Sequence, residues 1–550
     1  MKPNELLRAS SVMAVGTIVS RITGFIRNIL AAAVLGTALL ADTYNVANTM
    51  PNILYNLLVG GALTAIFVPQ LIRSFSDPDG GHAFASKLVT TISTVLLGLV
   101  IVGVVFAPAL VRIYAPEFAT KGFEGEFHLA VEFTRYCLPQ IFFLGLFTML
   151  GQVANARGSF APLMWAPIVN NIIVIAVFVV VLIEAPHLST GNITSAQTKF
   201  LGWGTTLGVV VQALILIPVV KRTGIRLRPT FGLAGLGKSF SLAGWTLIYV
   251  LISQLGYLVT VNVSTSAGVR TAKEGIKTGV GFTPFGNAYL IMMLPYSIVT
   301  ISIVTALLPH LSKLAIEKKR DEVRDQLIRA IKMVGVLTIP AAVAFMLFGP
   351  LITRVLYVGI DKADAIYVGQ VLAAFGLGLV AFSINIILIR GFNAFEDTRT
   401  QVLSILLINV IAVALSYLSL LLLPSRWVTV GLGAAFSVSY ILGLFYTLAL
   451  LDRHTGRIRL RDFSGQHVRL LIASLIAMLP LYAISQYFAW VNADSGAITR
   501  FSELALITAL GFVGYFFVAR RIGVSEITIS GALVKTQFQR SFRSRRTGGE

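Results

Sequence analysis

Two arginines interrupt an apolar segment that would otherwise run unbroken from residue 12 to residue 35. They are Arg21 and Arg27, and Ser20 directly precedes the first of them. A guanidinium group in hydrocarbon costs at least ~2.5–3.5 kcal/mol on insertion scales, so each must face water, a counter-charge or an anionic ligand. Because arginine donates several hydrogen bonds to phosphate oxygens, the pair favours binding of a diphosphate-bearing amphiphile in a wet cavity.

A structural role is the alternative for these two arginines. They could pair with backbone carbonyl groups, or with Asp42 at the start of the next apolar segment, and so brace the helices that carry them. Six residues separate the arginines, which places them about 120° apart around an ideal helix. Both side chains can therefore reach a wide cavity together, but they cannot both lie in a narrow contact between two helices.

A second group of polar residues offers oxygen ligands. Asn393 and Asp397 stand four residues apart between two apolar segments, and with Asn409 they could bind a small cation. The sequence favours a simpler interpretation, in which Asp397 caps the helix that follows it. The single cysteine, Cys137, excludes an internal disulfide and a multi-cysteine metal site.

The elements that position these residues are predicted to be membrane helices. The chain has 550 residues, of which 56% are hydrophobic and 12% are charged, against about 25% charged in soluble proteins. An all-α polytopic membrane protein with about 14 transmembrane helices is therefore expected. Apolar windows lie near residues 12–35, 41–68, 86–114, 129–154, 162–184, 200–220, 240–263, 284–309, 333–358, 366–389, 400–423, 428–451, 467–490 and 501–519.

Internal matches predict two related halves. An F-x-P-x-x-x-R pattern at residues 106–112 recurs at 348–354, and Asn171 recurs 238 residues later as Asn409. The offset spans six predicted helices, so both halves keep the same orientation as parallel lobes, a layout suited to alternating access. The predicted division is an N-terminal lobe (1–222), a C-terminal lobe (223–455), two further helices (456–521) and a basic cytoplasmic tail (522–550).

Charge predicts the orientation of the chain. Lys and Arg number 44 against 24 Asp and Glu, and they concentrate on one side, with seven between residues 313 and 332 and seven from residue 520 onward. This bias places both termini in the cytoplasm and accounts for the net charge of +20 without nucleic acid. The 313–332 segment is expected to form an amphipathic helix on anionic lipid headgroups, and residues 535–550 to bind the same surface weakly.

The arginines near the outer ends of two predicted helices have a simple explanation. Arg112 lies close to Tyr114, and Arg354 lies close to Tyr357. A long side chain reaches the aqueous interface from such a position, and we expect both arginines to do so.

The segment around the first arginines resembles a known family. Residues 20–27 read SRITGFIR, followed by Ala-Asp at 41–42, Pro-Asn at 51–52, Gly-Ala at 61–62 and Phe-Val-Pro at 67–69. This pattern closely resembles the MurJ (MviN) family of lipid II flippases, in the MOP exporter superfamily. Leu-Pro at 294–295 and LLPHLS at 307–312 are similar to the family's eighth helix.

The resemblance implies a transporter rather than an enzyme. It would export lipid II, a polyprenyl-diphosphate-linked peptidoglycan precursor, from the inner to the outer leaflet of the bacterial plasma membrane. The family's substrate-binding residues fall on Ser20, Arg21, Arg27 and Asp42, and Tyr55 stands where the family has an arginine. A second departure lies at residues 289–290, Tyr-Leu, where the family has Asp-Arg.

The resemblance also bears on coupling and partners. Sodium-linked family members suggest Asn393 and Asp397 as an ion site. Asn409 and Val413, which would have to complete that site, match the family poorly. No cofactor is expected, and either a sodium ion or the membrane potential could couple transport. Expected partners are lipid II, anionic membrane lipids and proteins of cell-wall synthesis.

Three other functions stay open at this point. Another MOP-type exporter, of an oligosaccharide lipid or a drug, is the nearest, although export of cationic drugs favours buried carboxylates over arginines. A polytopic glycosyl transferase would need a carboxylate or metal site in a sizeable outer loop, and the predicted outer loops are short. The last alternative is a scaffold that docks through its cytoplasmic tail.

Overall fold

The protein is described here from a computed structural model. The structure describes residues 3–58, 71–186, 188–232, 237–491 and 496–524, with side chains from residue 15 in the first helix and from residue 244 in the helix that begins at 237. These residues form helices and no strand. The α-helices are α1 (Pro3–Leu35), α2 (Leu39–Leu58), α3 (His82–Val105), α4 (Ala107–Tyr114), α5 (Glu124–Cys137), α6 (Gln140–Ala156), α7 (Ala161–Glu184), α8 (Ser195–Leu214), α9 (Leu216–Arg222), α10 (Gly237–Lys273), α11 (Phe282–Pro295), α12 (Ile301–Ile316), α13 (Arg320–Leu356), α14 (Lys362–Ala394), α15 (Thr398–Leu422), α16 (Val428–Thr455), α17 (Arg461–Tyr487) and α18 (Ala497–Arg521).

The predicted fold class is confirmed. Within the described residues, 13 helical segments are long and apolar enough to cross a membrane, and they coincide with 13 of the 14 predicted spans. The remaining prediction, residues 41–68, corresponds to α2 as far as Leu58 and then passes outside the described residues. Several spans consist of two joined helices. Around Pro295, for example, one π-helical turn at Tyr296–Thr300 connects α11 to α12.

The first compact unit contains Met1–Pro284, Tyr357–Asp364 and Ser416–Thr429. Within it α1 packs along α7, α2 packs on α5, and α7 packs on α8. The helix α10, which the repeat assigns to the C-terminal lobe, packs here against α2 and α4. The division of the chain into an N-terminal lobe (1–222) and a C-terminal lobe (223–455) therefore stays a prediction.

The second unit contains Phe285–Leu356, Ala365–Leu415 and Val430–Glu550. Its core lies among α12, α13, α14 and α16, with Leu311, Leu327, Ile387 and Leu451 fully buried. The two helices beyond the repeat belong to this unit, because α17 and α18 pack on α13 and on each other.

The predicted amphipathic surface helix at residues 313–332 is wrong. The helix α12 ends at Ile316 and α13 begins at Arg320, so the segment consists of the ends of two long helices. Val323, Leu327 and Ile331 are fully buried in the core of the second unit rather than available to lipid. A helical apolar period indicates a buried side but does not say whether protein or lipid covers it.

The predicted extension of Arg354 to the interface is also wrong. Its residue is only 3% exposed, and its guanidinium donates to the backbone carbonyl groups of Trp490 and Val491, just after α17. Those residues and α18 cover the end of α13, which the sequence does not reveal. Arg112, by contrast, is exposed, with its guanidinium carbon 5.3 Å from the ring centroid of Phe127.

Candidate functional site

Small residues bring α1 close to α7. Gly16, Ser20 and Gly24 recur every fourth residue and therefore share one side of α1. A Cβ atom on Gly16 would lie 2.8 Å from Nε1 of Trp165, so the two helices approach as closely as glycine allows. This spacing of small residues is typical of tightly packed membrane helices.

A buried asparagine on α7 is hydrogen-bonded to α1 on the side that carries these small residues. The side-chain nitrogen Nδ2 of Asn171 donates to the carbonyl oxygen of Ser20 and to Oγ1 of Thr23, each at 3.1 Å. The Thr23 hydroxyl lies within hydrogen-bond distance of the carbonyl groups of Val19 and Ser20, one turn earlier in α1. Ser20, predicted to bind substrate, thus lies in the α1–α7 contact.

The two arginines of α1 have different surroundings. Arg21 is exposed, whereas Arg27 is half-buried and lies within electrostatic range of Tyr44. The Tyr44 hydroxyl is 2.7 Å from Oγ1 of Thr205, and its ring packs edge-on against Phe133. Among the described residues no ion pair joins either arginine to a carboxylate.

The structure does not bring Asp42 to the arginines. Its carboxylate is fully buried: Oδ2 accepts from the backbone N–H of Phe282 at 3.0 Å, and Oδ1 accepts from the N–H and the hydroxyl of Thr283 at 2.7 and 2.6 Å. Those N–H groups open α11, and the residue before them is Gly281, which has no side chain to cap them. Asp42 therefore caps α11 from a different helix.

A second carboxylate binds the same stretch of chain. Asp364 accepts from Oγ1 of Thr37 at 2.5 Å and from the N–H of Gly279 at 2.8 Å. Both contacts line a cavity of about 350 Å³ next to the turn between α1 and α2. Asp364 was not among the predicted site residues, because nothing in the local sequence links it to a threonine 327 positions earlier.

Uncharged residues stand at both departures from the family pattern: Tyr55 in place of an arginine, and Tyr289-Leu290 in place of Asp-Arg. In the first unit the Tyr55 hydroxyl is hydrogen-bonded to the Thr148 hydroxyl. In the second unit Tyr289 packs edge-on against Phe375 and Phe436, with ring centroids 5.7 and 6.0 Å apart. An uncharged phenol thus replaces the expected arginine at residue 55, and an apolar leucine beside an aromatic cluster replaces it at residue 290.

Comparison with known proteins decides the family. A family model described as lipid II flippase MurJ matches residues 31–499. The chain belongs to the MurJ family. A probable lipid II flippase MurJ of Rhizobium meliloti is 29% identical over 544 residues, covering 96% of each chain. The lipid II flippase MurJ of Burkholderia cenocepacia is 27% identical over 527 residues, covering 93% of this chain and 96% of its own length.

Solved structures agree on the fold. A lipid II flippase MurJ in an inward closed conformation matches with a TM-score of 0.72 at 20% identity, over 93% of this chain and 99% of that one. An inward-facing MATE family multidrug transporter of the MOP superfamily matches with a TM-score of 0.63 at 15% identity, over 79% and 95%. As a MurJ family member with many apolar helices, the chain is a multi-pass membrane transporter and not an enzyme.

Asp397 and Asn409, two of the three candidate cation residues of this MurJ family member, already make hydrogen bonds. Oδ1 of Asp397 accepts from the N–H of Thr400 at 2.9 Å, which confirms the interpretation of Asp397 as the cap of α15. Oδ2 lies 2.7 Å from Nε2 of His454. Asn409 donates to the carbonyl of Ile405 in its own helix at 2.9 Å. The described part of the chain also holds no cluster of three His, Cys, Asp or Glu suited to a metal.

Replacing Asp397 with alanine should lower the stability of the second unit. Loss of a helix cap costs about 0.5–2 kcal/mol. Burial opposes ionisation of Asp397, but hydrogen bonds from Thr400 and His454 outweigh it and hold its pKa below the ordinary value. The stabilisation that ionised Asp397 gives to the folded protein is therefore complete above pH ~4, and it is lost as the pH falls through the lowered pKa. Thermal unfolding of both proteins in detergent at pH 7 and pH 3.5 should show the difference narrowing in acid, and a difference that widens would contradict it.

Proposed function

We propose that this protein transports lipid II from the inner to the outer leaflet of a bacterial plasma membrane by alternating access. The observation that carries the proposal is the match to the lipid II flippase family, together with two arginines on α1 that have no carboxylate partner in the described structure. An arginine kept free of ion pairs in an apolar body is available to an anionic headgroup.

Within this proposal the arginines bind the diphosphate. Arg21 and Arg27 lie about 120° apart around α1, so they can hold a diphosphate from two directions rather than form one clamp. Arg27 is half-buried within electrostatic range of Tyr44, whereas Arg21 is exposed. Tyr55 contributes a neutral hydroxyl where relatives have charge, so we expect the two arginines of α1 to contribute most of the binding.

Both termini are proposed to lie in the cytoplasm. The proposal rests on the excess of Lys and Arg in alternate loops and in the tail. The basic residues at 535–550 would bind anionic lipid weakly, at about 1 kcal/mol each or less; they lie outside the described residues. Proteins of cell-wall synthesis are further proposed partners.

A liposome assay tests the proposed function. Purified protein should move fluorescent lipid II between leaflets, whereas the same liposomes without protein should not. Movement of a cationic drug or an oligosaccharide lipid, with no movement of lipid II, would replace the proposal by another MOP-type export activity.

We also propose that transport by this chain does not depend on a bound sodium ion at Asn393 and Asp397. Both oxygens of Asp397 already accept hydrogen bonds, so a sodium ion would have to compete with Thr400 and His454 for them. The thermal unfolding temperature and the transport rate should then be the same in NaCl and in KCl of equal ionic strength. A sodium-specific rise in unfolding temperature that Asp397→Ala removes would overturn this.

A further inference from the structure

The rotation of α1 about its own axis is set by polar contacts with α7. Asn171 is only 6% exposed, and its Nδ2 reaches a backbone carbonyl of α1 and the Thr23 hydroxyl together. On an ideal helix a shift by one residue turns every group by about 100°. Such a turn would carry both acceptors away and leave a buried amide unpaired, which is unfavourable in an apolar environment.

Packing and the Asn171 amide favour the same rotation. A Cβ atom on Gly16 would already lie 2.8 Å from Trp165 of α7, so the bulkier Ile18, Ile22 and Ile26, which lie on the opposite side and are 57%, 54% and 43% exposed, do not fit there. The amide of Asn171 adds a directional hydrogen bond to this packing, and only one setting satisfies it.

The same rotation decides where the arginines point. Counted around an ideal helix from Ser20, Arg27 lies about 20° away and Arg21 about 100° away. The carbonyl of Ser20 is the group that Asn171 binds. By fixing the rotation of α1, Asn171 therefore sets the direction in which both arginine side chains leave the helix. This requires no contact between Asn171 and either guanidinium.

The repeat supplies an internal comparison. Asn409, which matches Asn171 in the second half, donates to the carbonyl of Ile405 one turn earlier in α15. That hydrogen bond stays within one helix. The two asparagines thus share a position in the repeat, but Asn171 links two helices whereas Asn409 is bonded within its own helix.

We propose that Asn171 is a positioning residue for lipid II binding, because it holds α1 at the rotation that presents Arg21 and Arg27 to the diphosphate. The inference rests on the proposed function. It adds a residue outside the sequence motif of α1, contributed by a different helix of the same unit.

Kinetics of fluorescent lipid II movement in proteoliposomes test this. Asn171→Leu keeps the volume and removes the donor, and its apparent KM should rise about three- to tenfold, the range expected for losing a hydrogen bond between membrane helices. The kcat should stay within about twofold. Asn171→Gln, which keeps the amide, should restore part of the affinity. Thr23→Val should give a smaller rise, and the double variant should be no worse than Asn171→Leu alone, because both remove one network.

Asn409→Leu is the matched control and should leave the apparent KM unchanged. An unchanged KM in Asn171→Leu, a loss confined to kcat, or an equal KM rise in Asn409→Leu would overturn the inference. If Asn171→Leu does not fold, Thr23→Val decides, and a wild-type KM there overturns it. Failure of the proposed function is separate: in that case the wild-type protein itself would not move lipid II in these liposomes.

Discussion

Replacing Arg27 with alanine should abolish lipid II transport while the protein still inserts and folds. The side chain is half-buried within electrostatic range of Tyr44, and no carboxylate in the described structure forms an ion pair with it. Its removal therefore leaves no buried charge unpaired. A charge-assisted hydrogen bond is worth about 1.5–3 kcal/mol, so losing two of them to a diphosphate should lower transport about 100-fold or more. Arg21→Ala should behave similarly.

Two further variants separate binding from structure. Arg27→Lys should recover transport only partly, because an ammonium group lacks the planar fork that grips phosphate oxygens. Arg112→Ala is the matched control, since that arginine is exposed above Phe127 and should be dispensable. Growth of a strain depleted of its own flippase, with protein level measured alongside, reports all three. Normal growth with both Arg21→Ala and Arg27→Ala would show that the arginines are structural and that lipid II binds elsewhere.

The sequence predicts features that depend on one helix at a time. Thirteen spans follow from apolar length, and the cap at Asp397 follows from its place before Thr398 and Thr400. Arg21 and Arg27 are conspicuous because charge in an apolar run is unfavourable wherever the helix packs. Each of these signals is local, so no knowledge of the partner helix is needed.

Features that depend on a partner helix could not be predicted in this way. Asp42 looked like a counter-charge for the arginines, yet it meets Phe282 and Thr283, about 240 positions away. Val323 and Leu327 are buried against protein, but the apolar period of the 313–332 segment is equally compatible with burial against lipid. The spacing of Gly16, Ser20 and Gly24 was the one local signal that could have revealed the packing of α1.

The contact between Asp42 and α11 should also be needed for transport. Asp42→Asn replaces one acceptor oxygen by an NH₂ group, which then faces an N–H of Phe282 or Thr283 instead of bonding to it. Loss of these charge-assisted bonds, about 1.5–3 kcal/mol, should lower the unfolding temperature by roughly 3–5 °C. Transport should fall more than tenfold, because the start of α11 loses its cap.

Gly281→Ala tests the same contact from the other side and should cause a comparable loss. A Cβ atom at Gly281 would lie 2.0 Å from Oδ2 of Asp42, and the backbone φ of 148° further disfavours a side chain there. The control is Asp361→Asn, an exposed carboxylate that lines the cavity next to Asp364 and should unfold and transport as the wild type does. Because Asp42 and Gly281 approach one another only when α11 is capped, their variants should fail together. If Gly281→Ala fails while Asp42→Asn transports normally, backbone strain at residue 281 explains the loss and the cap contributes nothing to transport.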